Sequence, residues 1–484
     1  MDMISLAAGL LLPWFLGMAA MAAARPREQP TGAGKEIAWI AGAGYFAGAF
    51  MLTLWMRVLS QAGVRFSVAT IALPLGLATA ALILAALRRD RALFAVALPG
   101  ALRALVASPG LTGSARLVWW LLVAWLASRF VLLGLEVTWR PLYPWDAWIQ
   151  WATKARVWYE LGYIAPFARS AEWFAANGGV YFDASPEYPP TVPLLQVWAN
   201  IALGRWDDAL MNWPWWQIAV ALTLAVYGGL RRLGATRICS LVGAFLVASL
   251  PLANVHVALA GYADFPLAAY FTVAVLAFLC WNATRNVRDA ALALLLLVAC
   301  TQIKNPGVFW ALTVIPGLVV ALFPRRGLTL AGVTFGIAVL LLAVLAQTNV
   351  TVFLYRLHLD FDPGWRQLGE SFFLLGNWNL LWYAVIGVAV LVRRQLFAPP
   401  LAPFTTVIIG GLLFLFLVFG FTNAREWVAQ QTTVNRATLH LAPLITVYLV
   451  LAFQAFAARW TETHSTPMPL AVATAAASDA APVG

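Results

Sequence analysis

Taken as apolar against polar positions, the chain is a succession of hydrophobic runs of similar length separated by short polar links. About 20 apolar residues let a helix cross the hydrocarbon core of a bilayer, where each backbone N–H and C=O must be paired within the segment. Thirteen such runs are read, near 4–24, 37–56, 68–87, 117–135, 213–230, 238–255, 263–281, 289–303, 306–323, 328–347, 376–392, 403–421 and 437–457. One further apolar stretch, TVPLLQVWANIALG at 191–204, is too short to span. It reads as a helix lying at the outer membrane surface, within a long loop at 139–212. The pattern predicts an all-α fold class: a polytopic helical membrane protein with about 13 transmembrane helices and juxtamembrane helices in that loop.

Composition agrees. Of 484 residues 62% are hydrophobic and only 11% charged, and the mean hydropathy is +0.80, which removes the soluble globular classes. The net charge of +11 does not point to nucleic acid, because the arginines fall in short clusters between apolar runs rather than along one face. Such clusters mark cytoplasmic loops. The loop at 88–116 carries Arg88, Arg89, Arg91, Arg103 and Arg116 against Asp90, so it is set inside. Alternation then places Arg25, Arg27 and Lys35 on the same side, with Arg231, Arg232 and Arg237, Arg285 and Arg288, Arg325 and Arg326, Arg393 and Arg394, and Arg459. Counting 191–204 as a crossing would break that agreement.

The expected protein is therefore multi-pass in a cytoplasmic (inner) membrane, with its N-terminus outside and its C-terminus in the cytoplasm. Its organisation reads as three helices and a basic loop (1–116), a transmembrane core (117–457) and a disordered tail (458–484) rich in Ala, Thr and Pro. The first run ends in MAAMAAAR, but Asp2 is the only charged side chain before it. It is read as a retained helix, with signal-peptide cleavage as the alternative. Cys239, Cys280 and Cys300 lie in or beside apolar runs without metal-ligand spacing and are read as packing residues.

The candidate chemistry lies in polar residues that the bilayer does not explain, because ionisable groups at membrane depth are costly and mark cavities or pathways. The stretch PLYPWDAWIQWATKARVWYE at 141–160 places Asp146 among tryptophans suited to the headgroup layer. Asp146 can accept a proton from an acceptor hydroxyl, or it caps a helix. Lys154 and Arg156 can hold a phosphate, or snorkel to ordinary headgroups. Glu187 and Tyr188, with Pro189 and Pro190, form a stiff lead into the 191–204 helix and suit a site wall.

Asp264, in GYADFPLAAYF, stands at the mouth of the seventh run; it binds a hydroxyl, shares a divalent cation with Asp146, or caps its helix. Lys304, in TQIKNPGVFW, interrupts an apolar stretch where Asn305, Pro306 and Gly307 break the helix, and is placed to receive a phosphate. Arg436, in TVNRATLHLAPL, opens the last run with His440 one turn further on the same face. His440 is read as a hydrogen-bonded core residue. His256, His358 and His464 receive no role.

In this order and on this topology the segments resemble the GT-C superfamily of membrane glycosyltransferases, nearest the protein O-mannosyltransferase and lipid A aminoarabinose transferase branch. Over about 117–457, YPPTVPLLQVW is similar to that branch's KPPL-type segment, LRRLGATR to its basic motif, YADFPLAAYFTVAVLAFL to its acid-opened helix and TQIKNPG to its TKGP turn. The resemblance implies that Asp146 is the loop acid serving as base, that Lys304 meets the carrier phosphate, and that Asp264 is the second acid. A lone acid stands where mannosyltransferases often carry a pair, Tyr188 replaces the lysine before the two prolines, and the three N-terminal helices have no counterpart. The expected function is transfer of a sugar from a polyprenyl phosphate to a glycan, lipid or protein acceptor at the extracytoplasmic face. A transporter or flippase of a lipid-linked substrate is the rival class. A surface-polysaccharide polymerase or ligase is a third reading, disfavoured because the outer loops are not rich in arginine.

Overall fold

The computed structural model describes residues 2–25, 33–89 and 111–464, apart from 177, 349, 353–354, 358–360 and 362. Much of the 88–116 loop, Arg27, His358 and the tail beyond 464 lie outside the described residues. Among the described residues the chain is all-α, with strand confined to two two-residue pairs, Phe167–Ala168 with Tyr181–Phe182 and Thr351–Val352 with Tyr355–Arg356.

The first four helices are α1 (Asp2–Ala23), α2 (Ala33–Gln61), α3 (Val68–Arg89) and α4 (Gly113–Trp139). The long loop after α4 holds a π-helical turn (Ala147–Ala152), α5 (Thr153–Leu161), α6 (Ser170–Ala175) and α7 (Thr191–Leu203). Next come α8 (Trp213–Arg232), α9 (Arg237–Ala248), α10 (Pro251–Ala258), α11 (Asp264–Thr284) and α12 (Val287–Thr301). The chain continues through α13 (Gly307–Leu312), α14 (Val314–Leu322), α15 (Gly327–Ala346), α16 (Trp365–Gly369) and α17 (Leu381–Leu391). It closes with α18 (Ala402–Phe421), α19 (Glu426–Ala429), α20 (Thr433–Leu439) and α21 (Ala442–His464).

All thirteen expected runs are helical, but fewer are long and apolar enough to cross a membrane. Among the described residues eight are, or nine if α9 and α10, bent by 59° at their junction, count as one span. Pro251 opens α10 and cannot donate to the preceding turn, which explains that bend. The 306–323 run breaks at Thr313 into α13 and α14, and α17 is only 11 residues long. α8 has 20 residues but begins WPWWQ and ends in Arg231 and Arg232.

α11 is the hub. It is buried from Asp264 through Cys280. α12 and α8 pack along it, and Tyr270 of α11 donates to Phe46 O of α2 at 3.0 Å. Close crossings rest on small residues, as they must where lipid supplies no hydrophobic drive between helices. A Cβ on Gly48 of α2 would lie 1.8 Å from Pro13 O of α1, and one on Gly228 of α8 would lie 2.4 Å from Trp39 N of α2. These contacts build α2 into the core and fasten α1 to it.

The short 191–204 helix exists as α7, but it is enclosed rather than laid on a surface. Twelve of its thirteen residues are buried, and Trp198 donates to Gly9 O of α1 at 2.9 Å. Cys280 and Cys300 are buried, Cys239 half-buried, and all three are free.

Candidate functional site

Asp264 is the first residue of α11, in a peptide frame whose N-terminal partial positive charge favours a carboxylate by about 0.3–1 kcal/mol. Its side chain is 1% exposed and does not cap the helix. Instead both oxygens are taken by side chains from later in the chain. Oδ1 accepts from Lys304 Nζ at 2.6 Å and from His440 Nε2 at 3.0 Å. Oδ2 accepts from Arg436 Nε at 3.0 Å and Nη2 at 2.8 Å.

Local sequence explains each approach. Lys304 sits where α12 stops and the chain reverses into α13, with Gly307 N donating back to Lys304 O at 2.8 Å. A Cβ on Gly307 would meet Cys300 O at 1.9 Å, so only glycine admits the reversal. Arg436 lies on α20, and His440, four residues on, follows on the same face. Trp310 Nε1 donates to His440 Nδ1 at 2.9 Å. Indole is a donor only, so Nδ1 must be unprotonated and the ring proton sits on Nε2, aimed at Asp264.

The remaining guanidinium nitrogen reaches the loop acid: Arg436 Nη1 stands 2.6 Å from Asp146 Oδ2. Asp146 precedes the π-helical turn in right-handed helical geometry and makes no side-chain cap, so the capping alternative does not hold. Its side chain is 28% exposed. The Arg436 guanidinium also lies 4.4 Å from the centre of the Tyr262 ring, a cation–π contact.

Asp146, Asp264, Lys304 and Arg436 all line one cavity of about 190 Å³, with Tyr188, His440 and Gln150 and the aromatic rings of Trp151, Trp310 and Trp427. Two carboxylates face two cations, and a neutral His440 completes the set. The aromatic walls with a few convergent polar groups are the usual makeup of a ligand site.

The other expected residues go elsewhere. Lys154 is buried, paired with Asp183 at 3.1 Å and donating to Ser185 O at 3.0 Å. Burial pushes its ammonium pKa down, while the Asp183 carboxylate opposes that shift. Arg156 pairs with Glu160 at 2.7 Å and stacks over Trp206 at 4.9 Å. Glu187 pairs with Arg169 at 3.1 Å. None of the three lines the cavity. Tyr188, next to Glu187, does line it, packed on Trp151 with ring centres 5.1 Å apart.

Between Asp146 and Asp264, the pair to which a shared divalent cation was assigned as one alternative, stands the Arg436 guanidinium, which contacts both carboxylates. Among the described residues no group of three His, Cys, Asp or Glu side chains is arranged to hold a metal.

A second cavity, of about 240 Å³, lies between α1, α2 and α12 at the other end of α11. Arg232 there forms a two-pronged pair with Asp289 at 2.7 and 2.8 Å. It also contacts Glu36 at 3.4 Å and stacks over Trp39 at 5.5 Å. No known family model, curated protein or solved structure matches the chain.

Proposed function

We propose that this protein is a membrane glycosyltransferase that moves a sugar from a polyprenyl-phosphate donor to a glycan, lipid or protein acceptor, with inversion at the anomeric carbon. The observation that carries the reading is the convergence of Asp146, Lys304 and Arg436 on one aromatic-walled cavity. Such a reaction needs a base on the acceptor side and positive charge on the departing phosphate. Asp146 takes the acceptor proton as its oxygen attacks the anomeric carbon. The carbon–oxygen bond to phosphate breaks, and its electron pair leaves with a phosphate met by Lys304 and Arg436. Phosphate leaves readily without a general acid, so the paired-carboxylate arrangement of glycoside hydrolysis is not required. Asp264 holds both cations and touches neither reacting group.

The membrane setting supports this reading, since a lipid carrier enters sideways from the bilayer. Arg25, Arg232 and Arg288 line the cavity at the opposite end of α11 from Asp264, as expected if the site faces outside and the basic end faces the cytoplasm. The motif similarity to GT-C enzymes points the same way. A second reading, a flippase for a lipid-linked substrate, draws on the broken helix pair α9–α10, a feature of transporters.

One experiment separates them: reconstitution into vesicles with a panel of polyprenyl-phosphate sugars, following sugar transfer and lipid movement together. Sugar loss from the carrier supports transfer. Movement of intact donor between leaflets, with no sugar loss for any member of the panel, supports the flippase.

A further inference from the structure

A base must offer a free oxygen to the proton it takes, and Oδ2 of Asp146 is occupied by Arg436 Nη1 at 2.6 Å. The two acids of the cluster are not equivalent, however. Asp264 is 1% exposed and receives four hydrogen bonds from three side chains. Asp146 is 28% exposed and meets the cluster through one guanidinium nitrogen. Asp264 is fixed, and Asp146 is the member that can leave.

Charge gives the departure a direction. Lys304 and Arg436 carry two positive charges against one on Asp264, which leaves one positive charge for Asp146 to neutralise. A phosphodiester also carries one negative charge. From these observations, and resting on the donor-phosphate reading above, we infer that Asp146 is the resting occupant of an anion seat on Arg436. The donor phosphate displaces it, and that exchange frees the carboxylate to act as base.

The steps balance. Before transfer the seat holds the diester monoanion, and Asp146 is released with its charge intact. The acceptor hydroxyl gives its proton to Asp146 as the new glycosidic bond forms. The bond from anomeric carbon to phosphate oxygen breaks, leaving a phosphate dianion beside Lys304 and Arg436 and a neutral carboxyl at Asp146. Return of that proton to phosphate or water, and exit of the carrier, lets Asp146 take its seat again. Asp264 is then a positioning residue: it keeps Arg436 Nε and Nη2 occupied so that only Nη1 is offered to an incoming anion.

The test is binding without turnover. A short-chain polyprenyl monophosphate carrying no sugar is titrated into the full-length protein in detergent, read by fluorescence of the cavity tryptophans, with inorganic phosphate as a second probe. Asp146→Asn removes the competitor and is expected to bind the polyprenyl phosphate about tenfold more tightly than wild type, the low end for close charge pairs. Asp146→Ala gives the same tightening by a different side chain, and Asp146→Glu restores wild-type affinity. Phosphate bound by wild type with equal or lower affinity in Asp146→Asn and Asp146→Ala overturns the exchange while leaving the donor-phosphate reading intact. No binding by any form of either probe overturns both.

Discussion

Replacing Asp264 by Asn keeps the shape of the side chain and removes its charge. Two cations, Lys304 at 2.6 Å and Arg436 at 2.8 Å, then face a neutral amide at a position 1% exposed. The amide nitrogen also presents hydrogens where one carboxylate oxygen accepted two of the four hydrogen bonds. Removing one partner of a buried ion pair costs about 3–5 kcal/mol, because the charges left behind stay desolvated. The comparison is Asp146→Asn, whose pair with Arg436 has side chains 28% and 23% exposed. Discounted for solvent, that pair contributes about 1 kcal/mol or less. Thermal melting of both variants in the same detergent is the assay, with circular dichroism reporting helix loss. The midpoint should fall several times further for Asp264→Asn. Equal midpoints for the two variants would refute the assignment of Asp264 as the fixed anchor of the cluster.

Helix crossing and loop docking give two further expectations. Gly48→Leu should abolish well-folded protein, since its Cβ alone would lie 1.8 Å from Pro13 O, whereas Gly76→Ala, with open space around it, should keep or raise the melting point. Glu370, outside the spans, has its pKa held below 4.5 by hydrogen bonds from Arg366 and Gln431. Its folded value is the lower one, so the tie is fully present above pH 4.5 and is lost as pH falls through the folded pKa. The protection of residues 365–375 against hydrogen exchange, relative to the intrinsic rate at each pH, should therefore fall as pH drops through that pKa, and Glu370→Gln should remove the dependence.

Much of the site was legible because charge is expensive in an apolar chain. Asp146, Asp264, Lys304 and Arg436 stand out as groups that lipid cannot explain, and charge alternation placed them at one end. Their pairing was not legible: Asp264 meets Lys304 40 residues away and Arg436 172 away, separations that no local pattern encodes. Nor does anything single out Trp310 among 24 tryptophans as the donor that sets the His440 tautomer. Arg156 was open to a better reading, since Glu160 lies four residues on, the spacing of a helical ion pair. Lys154 was not, because its partner Asp183 arrives through an irregular loop. Apolar runs outnumber the described helices of membrane-crossing length for a similar reason: hydropathy registers composition, while Pro251 and Thr313 interrupt two of those runs.

The central claim is that Asp146 removes the acceptor proton during sugar transfer. It is tested most directly by release of carrier phosphate from the donor that wild type uses, compared with Asp146→Asn in the same vesicles. Loss of a general base predicts a rate lower by about 10²–10⁴-fold in Asp146→Asn, with binding of the sugar-free carrier phosphate retained. Wild-type release by Asp146→Asn would contradict the account.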